Sequence, residues 1–479
     1  AGLSSDGSVR GLLPAFRARV APVGGADGST VDVAVTVRAS ALELAVAPAI
    51  VHVGTFDVGE QAPLTFTVVN NGNWATTSSS ATVTLPAQLV AALDSKTVGS
   101  TPGCAAAKDG RTVTCDLGPL DPGRPVPVQL NVRAVSSGLG EVAVALSSGN
   151  GPAATGTGRV VVSSGGFTPR FSTAGLKGSW NVTEIGAPLL TCPPSEKCTG
   201  ALTGKGPTLN NNDFPMLPLL EKGFADAKVA SSSQLRIPAG REVAFAGLYW
   251  AASAGSPTTQ PVTARLAGPG QAFVAVTGSL LAHSGGTAGR GEYQAFADVT
   301  AQVETQVKDG GPGTWTFADP SSGVGSGSGA YAGWALVVVY ADDAASAGTV
   351  VVHDGAVAVN VGSSASLTVA TTPGQSARIG VVVWEGDLGA SGDTFTLDGA
   401  ALVPVRWPGT GTAPGDAKNA FDSTATGSHD ANSLGVDAKG FLETVIAAPR
   451  APAVAGSSVL TARSPNEGFV LGVVTVLTR

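Results

Sequence analysis

Apolar and polar residues alternate over many short stretches of the chain, and this period of two predicts β-strands. The stretch at 63–70 reads PLTFTVVN, and the stretch at 126–135 reads VPVQLNVRAV, each with every second residue apolar. In an extended strand such residues share one face, which is buried while the other faces solvent. Gly- and Asn-rich turns separate these runs. Helical periodicity is weak throughout, so the chain is predicted to be all-β.

Residues 41–164 contain about seven such runs, joined by turn sequences such as Asn70-Asn71-Gly72. Seven short strands in roughly 120 residues are typical of an immunoglobulin-like sandwich. The runs PLTFTVVNNG, ATVTLP and CAAAKDGRTVTCDLGPLDPGRPVPVQLNVRA resemble the Ig-like conserved-repeat domain of bacterial cell-surface and secreted proteins. The resemblance implies a stalk or assembly module without catalytic residues.

Residues 1–40 form a segment that is too short for a sandwich of its own but contains two strand-like runs. Two strands alone are marginal in water, so these must complete a sheet of this chain or of another copy. The apolar residues that would mediate such docking are Leu12, Leu13, Val31, Val33, Val35 and Val37.

Residues 165–169, beginning with Gly165-Gly166, are predicted to be a linker. About ten further strands are predicted in 170–479, as one large jelly-roll-like sandwich or two packed sheets. Short helices are expected at 298–308 and 215–224. The stretches 196–235 and 404–435 are predicted to be ordered loops on the surface or in contact with a partner.

This second segment resembles a domain of uncharacterised function in secreted actinobacterial surface proteins. The resemblance rests on LTCPPSEKC, LNNNDF, FAGLYWAA, FADVT, GWALVVVYADD and VVVWEGDLGASGDTFTLDG. It implies a location at the cell surface and an architecture, but no activity.

The amino-acid composition argues against several classes of protein. The chain has 65 Gly and 31 Pro in 479 residues, which is below the collagen or low-complexity range, and 43% apolar residues suffice for a core. A net charge of −7 without a basic cluster argues against nucleic-acid binding. The apolar runs are too short to cross a membrane.

The four cysteines lie in two close pairs, Cys104 with Cys115 and Cys192 with Cys198. Two local disulfides in an oxidising compartment are favoured over zinc, because neither spacing is C-x2-C and no His lies nearby. A start at Ala1 is expected for a mature secreted chain whose leader has been removed.

Loop acids suggest one metal site. Asp387 and Asp393, with Asp342 or Asp343 at another strand end, could surround a calcium ion through oxygen ligands. Solvated turn acids are the alternative interpretation. No other cofactor is expected.

Catalytic and ligand-contact candidates are few. His353-Asp354 and His429-Asp430 could join a Ser in a triad, although surface or turn residues are favoured. Lys439 and Lys418 are candidates for an internal isopeptide bond. Trp74 and Trp407 lie in loops and are candidate ligand contacts, whereas core packing is favoured for the tryptophans within apolar strands.

The function expected from the sequence is that of a secreted structural subunit, not an enzyme, which polymerises as a filament, sheath or surface layer by β-strand addition. Its partner would be another copy of itself. The alternative is a carbohydrate-binding surface adhesin. A jelly-roll hydrolase using Glu385 and Asp387 ranks last, because neighbouring carboxylates in one turn give no evidence of a catalytic pair across a cleft.

Overall fold

The structure is a computed structural model, which describes residues 56–93, 100–254, 261–284, 292–310, 312–406, 412–447 and 456–479. For residues 16–18, 31–33, 42–45 and 282–284 the backbone alone is described. Strands account for 53% of the residues in the structure and helices for 5%. The prediction of an all-β fold is therefore confirmed.

The chain divides into two compact units. The first falls within Ala1–Val135 and Gly140–Val161, and the second comprises Ser136–Leu139 and Val162–Arg479. The linker was predicted at 165–169, a few residues after this division.

The first unit is built from two sheets and a separate hairpin. A four-stranded sheet has the order β3-β5-β10-β7, a six-stranded sheet has the order β4-β12-β11-β6-β9-β8, and β1 pairs with β2. The strands are β1 (Phe16–Ala18), β2 (Val31–Val33), β3 (Leu42–Ala45), β4 (Phe56–Asp57), β5 (Gln61–Asn70), β6 (Ser79–Thr84), β7 (Leu89–Ala91), β8 (Cys104–Ala106), β9 (Thr112–Asp116), β10 (Val126–Ala134), β11 (Gly138–Ser148) and β12 (Ala154–Ser163).

Alternation in the sequence sets the register of this sandwich. Leu64 of β5 lies opposite Leu130 of β10, and Phe66 lies opposite Val128. All four are buried, because residues two apart in a strand point to the same face.

The second unit contains the remaining strands and both α-helices. The helices are α1 (Glu196–Leu202) and α2 (Thr300–Gly310), and a 3-10 turn spans Asn211–Asp213. The strands are β13 (Thr168–Ser172), β14 (Trp180–Pro188), β15 (Leu190–Thr191), β16 (Pro215–Pro218), β17 (Ala230–Leu235), β18 (Val243–Ala252), β19 (Val262–Ala267), β20 (Val274–Ser284), β21 (Glu292–Asp298), β22 (Gly313–Ala318), β23 (Gly327–Ser328), β24 (Ala332–Ala341), β25 (Thr349–Val359), β26 (Ser364–Ala370), β27 (Ser376–Trp384), β28 (Thr394–Leu397), β29 (Ala400–Ala401), β30 (Val405–Arg406), β31 (Ala413–Pro414), β32 (Val436–Gly440), β33 (Thr444–Val445), β34 (Ser457–Arg463) and β35 (Phe469–Thr478).

Three stacked sheets organise this unit. They are an eight-stranded sheet (β14-β24-β18-β21-β20-β19-β22-β17), a six-stranded sheet (β13-β25-β35-β27-β32, with β33 on β27) and a four-stranded sheet (β26-β34-β28-β29). One apolar core packs the eight-stranded against the six-stranded sheet, and includes Val337 and Val382. Another packs the six-stranded against the four-stranded sheet, and includes Val381 and Phe395.

The central strands are covered on both faces. In β24 and β27 neighbouring residues are buried whichever way they point. This burial explains why their sequences are nearly uninterrupted apolar runs rather than alternating ones.

Three local predictions were wrong. The stretch 196–235 was expected to be loop on the surface or in contact with a partner, yet it contains α1, β16 and β17. The stretch 215–224 was expected to be a helix but begins with the strand β16. The stretch 404–435 was expected to be loop on the surface or in contact with a partner, yet Phe421, Asp422 and Ser423 are fully buried within the chain. The helix expected at 298–308 is present as α2.

Among the described residues, no helix is both long enough and apolar enough to cross a bilayer.

Candidate functional site

Two chain crossovers meet at one end of the six-stranded and four-stranded sheets. The segment 385–393 leads from β27 to β28, and the turn 464–468 leads from β34 to β35. Trp384 at the end of β27 lies opposite Val470 of β35, while Thr394 of β28 lies opposite Arg463 of β34. The register therefore brings both crossovers to the same end of the unit.

The crossover 385–393 turns sharply where it leaves the sheet. Glu385 has φ of +74°, a left-handed conformation that a residue with a Cβ rarely adopts. The next residue is Gly386, and a Cβ there would lie 2.3 Å from the Phe421 carbonyl oxygen and 2.4 Å from Oδ2 of Asp437. Only glycine allows the crossover to pass this close to Asp437.

Four carboxylates meet at these crossovers. They belong to Asp387, Asp393, Asp437 and Glu467, whose exposed fractions are 3%, 1%, 0% and 7%. We call them the acid cluster. Oδ1 of Asp387, Oδ1 of Asp393, Oδ2 of Asp437 and both carboxylate oxygens of Glu467 are buried without a hydrogen-bond partner. Such orphaned oxygens are rare in folded proteins and call for an explanation.

In each of the three aspartates of the acid cluster, the second carboxylate oxygen accepts a hydrogen bond. The amide N–H of Phe421 donates to Oδ2 of Asp393 at 2.7 Å, and that of Thr424 donates to Oδ1 of Asp437 at 2.9 Å. Nδ2 of Asn212 donates to Oδ2 of Asp387 at 3.4 Å. These bonds orient each carboxylate so that one oxygen is left over.

An ion network borders the cluster, in which Lys439, Asp422 and Asp437 are fully buried and Arg406 is partly exposed. Nζ of Lys439 lies 2.7 Å from Oδ1 of Asp437 and also contacts Oδ1 of Asp422. Arg406 contacts the other oxygen of Asp422, with its Nε at 2.9 Å. The two cationic side chains are thus engaged by Asp422 and Asp437. Among the described residues, no salt bridge reaches Asp387, Asp393 or Glu467.

Burial and mutual repulsion disfavour negative charge in the cluster. Burial raises the pKa of Asp387 to about 7, and it raises the pKa of Asp393 as well. The pKa of Glu467 is raised strongly, first by burial and then by the charges of Asp393, Asp387 and Asp437. For Asp422, burial opposes ionisation, but Lys439 and Arg406 hold the pKa below its usual value.

A cavity of about 610 Å³ opens onto the cluster. Its acidic lining comes from Glu292, Glu385, Asp387 and Glu467, and Tyr331 adds a ring. Amide side chains also line it, from Asn210, Asn212, Asn360 and Asn466. The lining therefore combines hydrogen-bond donors and acceptors.

The structure does not bring Asp342 and Asp343 to this site, so the predicted four-acid grouping is corrected. Asp342 follows the last residue of the ten-residue strand β24 and accepts from Asn181 at 3.0 Å, while Asp343 contacts Arg241. Tyr331, which lines the cavity, precedes the first residue of that strand. The two ends lie roughly 33 Å apart at the usual rise of a strand.

Both predicted disulfides are present. Cys104 is bonded to Cys115 across the β8–β9 ladder, and Cys192 is bonded to Cys198 at the start of α1. No cysteine among the described residues is free.

The candidate contact residues lie in different places. The side chain of Trp74 is 64% exposed, whereas Trp250, Trp334 and Trp384 are fully buried, as expected of core residues. Trp407 lies outside the described residues. The backbones of Val31 and Val33 lie in β2, and Val35, Val37, Leu12 and Leu13 lie outside the described residues.

His353 does contact a serine, but not as part of a triad. Its Nε2 lies 3.1 Å from Oγ of Ser137, and the ring is 1% exposed. The carboxylate of the neighbouring Asp354 is bonded to Arg170 at 2.6 Å. The acid is therefore turned away from the imidazole that it would have to orient.

Asp437, Glu467 and Asp422 were not predicted from the sequence as site residues. Glu467 lies 80 positions after Asp387, and no spacing motif joins them. One signal was available for Asp437. Asp437 stands two positions before Lys439, the candidate for an isopeptide bond. Residues two apart in a strand share a face.

No protein-family model matches the chain, and no curated protein matches it. Among solved structures, the chain is similar to a trypsin-activated alpha-2-macroglobulin from Escherichia coli, with 12% identity and a TM-score of 0.19 over 48% of this chain and 11% of that one. It is also similar to the secreted serine protease VesC from Vibrio cholerae, with 14% identity and a TM-score of 0.17 over 61% of this chain and 49% of that one. Neither is described as an Ig-like repeat or an actinobacterial surface protein, so those resemblances stay predictions.

Proposed function

We propose that this chain is an extracellular binding protein whose second unit recognises a neutral saccharide in the cavity beside the acid cluster. The observation that carries the proposal is the lining, in which carboxylates and amide side chains share one opening. A sugar hydroxyl both donates and accepts hydrogen bonds. A carboxylate paired with an amide satisfies both roles.

The size of the cavity supports this class of ligand. Its volume of about 610 Å³ falls in the range of small-molecule sites. Asn466 precedes Glu467 in the chain and Asn212 donates to Asp387, so two of the lining acids stand beside an amide side chain.

The two disulfides support an extracellular setting, because such bonds persist where thiols are oxidised. They also fit the expected role at a bacterial surface.

A glycan array probed with the full oxidised chain tests the proposal. We expect binding to a subset of saccharides, and at least tenfold weaker binding by Asn360→Ala. The matched control is Asn71→Ala, which removes an exposed amide from a turn of the first unit. Absence of binding to any saccharide, or equal loss in both variants, would contradict it.

Self-assembly is the second candidate function. The supporting observation is the hairpin of β1 and β2, in which Phe16 lies opposite Val33 and which pairs with no other strand among the described residues. An isolated two-stranded hairpin is marginal in water. A second copy of the chain could supply the sheet edge that it lacks.

Deleting residues 1–40 tests assembly. If the hairpin completes a neighbouring copy, the intact chain polymerises at high concentration, and the truncated chain stays folded but monomeric in sedimentation velocity. Polymerisation of the truncated chain, or a monomeric intact chain, would remove this candidate.

A further inference from the structure

We propose that the acid cluster binds one calcium ion at the floor of the cavity, through the leftover oxygens of Asp387, Asp393, Asp437 and Glu467. The inference rests on the proposed function, because it makes the calcium ion part of the saccharide pocket. It adds the chemical class of cofactor on which that pocket depends. Binding of the ion itself is measurable without any saccharide.

The unpartnered oxygens are the first observation. All four side chains are at least nine-tenths buried, and each has a carboxylate oxygen without a hydrogen-bond partner. An unpaired buried carboxylate is costly, because it has lost its hydration and gained nothing in return. A bound cation would satisfy these oxygens together.

Proximity is the second observation. Asn466, which precedes Glu467, donates from Nδ2 to the Ser391 carbonyl at 2.6 Å, so the turn 464–468 is tied to the segment that bears Asp393. A Cβ on Gly386, beside Asp387, would lie 2.4 Å from Oδ2 of Asp437. The segments that bear the four acids are therefore packed against one another.

Uncompensated charge is the third observation. The ion pairs that border the cluster are made by Lys439 and Arg406, and both of these cations contact Asp422. Lys439 also pairs with Asp437 through Oδ1, which leaves Oδ2 of Asp437 available. Asp387, Asp393 and Glu467 take part in no salt bridge of the described residues.

The donor set indicates calcium. The unpartnered atoms are all oxygens, and the side-chain oxygens of Asn211 and Asn419 are also buried without partners beside Asp387 and Asp393. Calcium takes six to eight oxygen ligands in irregular arrangements, whereas magnesium requires a near-octahedral shell and zinc prefers nitrogen and sulfur.

Ion binding requires the four carboxylates to turn toward a shared position. In the described residues, no three His, Cys, Asp or Glu side chains already stand at metal-ligand spacing. The carboxylate torsion is broad and soft, so rotation toward a shared ion is inexpensive. The strands and crossovers that bear the acids can remain in place.

Isothermal titration of the full oxidised chain with calcium chloride, after chelator treatment, tests the proposal. We expect one site, with a dissociation constant at or below about 1 mM, as in extracellular calcium modules. Differential scanning calorimetry should show a melting temperature several degrees higher in calcium than in chelator, because the ion binds the folded state.

Glu467→Gln is the principal variant, because it removes one charge while keeping the shape of the side chain. We expect calcium affinity to fall at least tenfold and the calcium-dependent rise in melting temperature to shrink. The control, Asp342→Asn with Asp343→Asn, removes two acids that lie apart from the cluster and should bind calcium as the parent chain does.

The possible outcomes separate the two proposals. The ion site is overturned if the parent chain binds no calcium. It is also overturned if the control variant loses as much affinity as Glu467→Gln. Calcium binding without saccharide binding on the array supports the ion and contradicts the saccharide pocket. Saccharide binding that is unchanged by chelator overturns the ion's role in the pocket.

Discussion

Lys439 and Asp437 are two positions apart on β32, point to the same face and form an ion pair of 2.7 Å, with neither side chain exposed. Asp437 lies opposite Val383 and Lys439 opposite Val381, so the pair projects into an apolar core. The lysine neutralises one edge of the acid cluster. Removing it should therefore have a large effect on stability.

Lys439→Met should lower the free energy of unfolding by about 3–5 kcal/mol, because buried Asp437 would lose its cationic partner and buried Asp422 would keep only Arg406. Urea denaturation followed by circular dichroism measures this change. As a control, Lys308→Met removes an exposed ion pair with Glu304 and should leave the free energy of unfolding nearly unchanged. Similar effects of the two substitutions would contradict the role given to the buried pair.

Gly386→Ala should lower stability by about 2 kcal/mol, since the new methyl group would press against the Phe421 carbonyl and the Asp437 carboxylate. Gly310→Ala is the control, because a Cβ there meets no atom within 4 Å. We expect the control to match or slightly exceed the parent chain in urea denaturation. A neutral Gly386→Ala would mean that the crossover is farther from Asp437 than described.

The stability that buried, neutral His353 contributes should fall as the pH drops from about 6.5 to about 4. Burial lowers the pKa of His353 from 6.5 to about 4. Within this window the unfolded chain binds a proton that the folded chain does not, so the folded state loses up to roughly 3 kcal/mol.

The measurement is urea denaturation of the parent chain and of His353→Gln at several pH values. Acids of the cluster titrate in the same range in both proteins, so the difference between the two curves isolates His353. Parallel curves would show that the imidazole does not titrate as expected.

Replacing Cys104 and Cys115 by Ser should lower the free energy of unfolding by about 3 kcal/mol, because the unfolded chain regains the freedom of an 11-residue separation. Replacing Cys192 and Cys198 opens a shorter loop and should cost about 2 kcal/mol. Denaturation of each double variant measures the loss, and peptide mapping of the parent chain under non-reducing conditions should find both bridges.

The fold class and the disulfides could be predicted from the sequence because both depend on local pattern. Alternation in β5 and β10 follows directly from one-sided burial, and each cysteine pair lies within a single hairpin or turn. The stretch at 215–224 was mistaken for a helix because its short apolar run fits either periodicity, and pairing of β16 with β15 and β23 decided the outcome.

The acid cluster could be predicted only in part. Asp387 and Asp393 were identified because they lie within one acidic loop. Glu467 was not, because its proximity depends on the register of β27 with β35 and of β28 with β34, which no local pattern specifies. Asp342 and Asp343 were wrongly grouped with Asp387 and Asp393, because the sequence does not show at which end of the sheet each strand ends.

The distribution of tryptophan has a practical consequence for following this protein in solution. Trp74 is the only tryptophan before residue 162, and the other six follow it. Trp250, Trp315, Trp334 and Trp384 are all enclosed in the second unit. Intrinsic fluorescence should therefore report almost entirely on unfolding of the second unit, as a red shift of its emission. Collisional quenching by acrylamide before unfolding should act on Trp74 far more than on these enclosed rings, so quenching distinguishes the indole of the first unit from the four rings of the second.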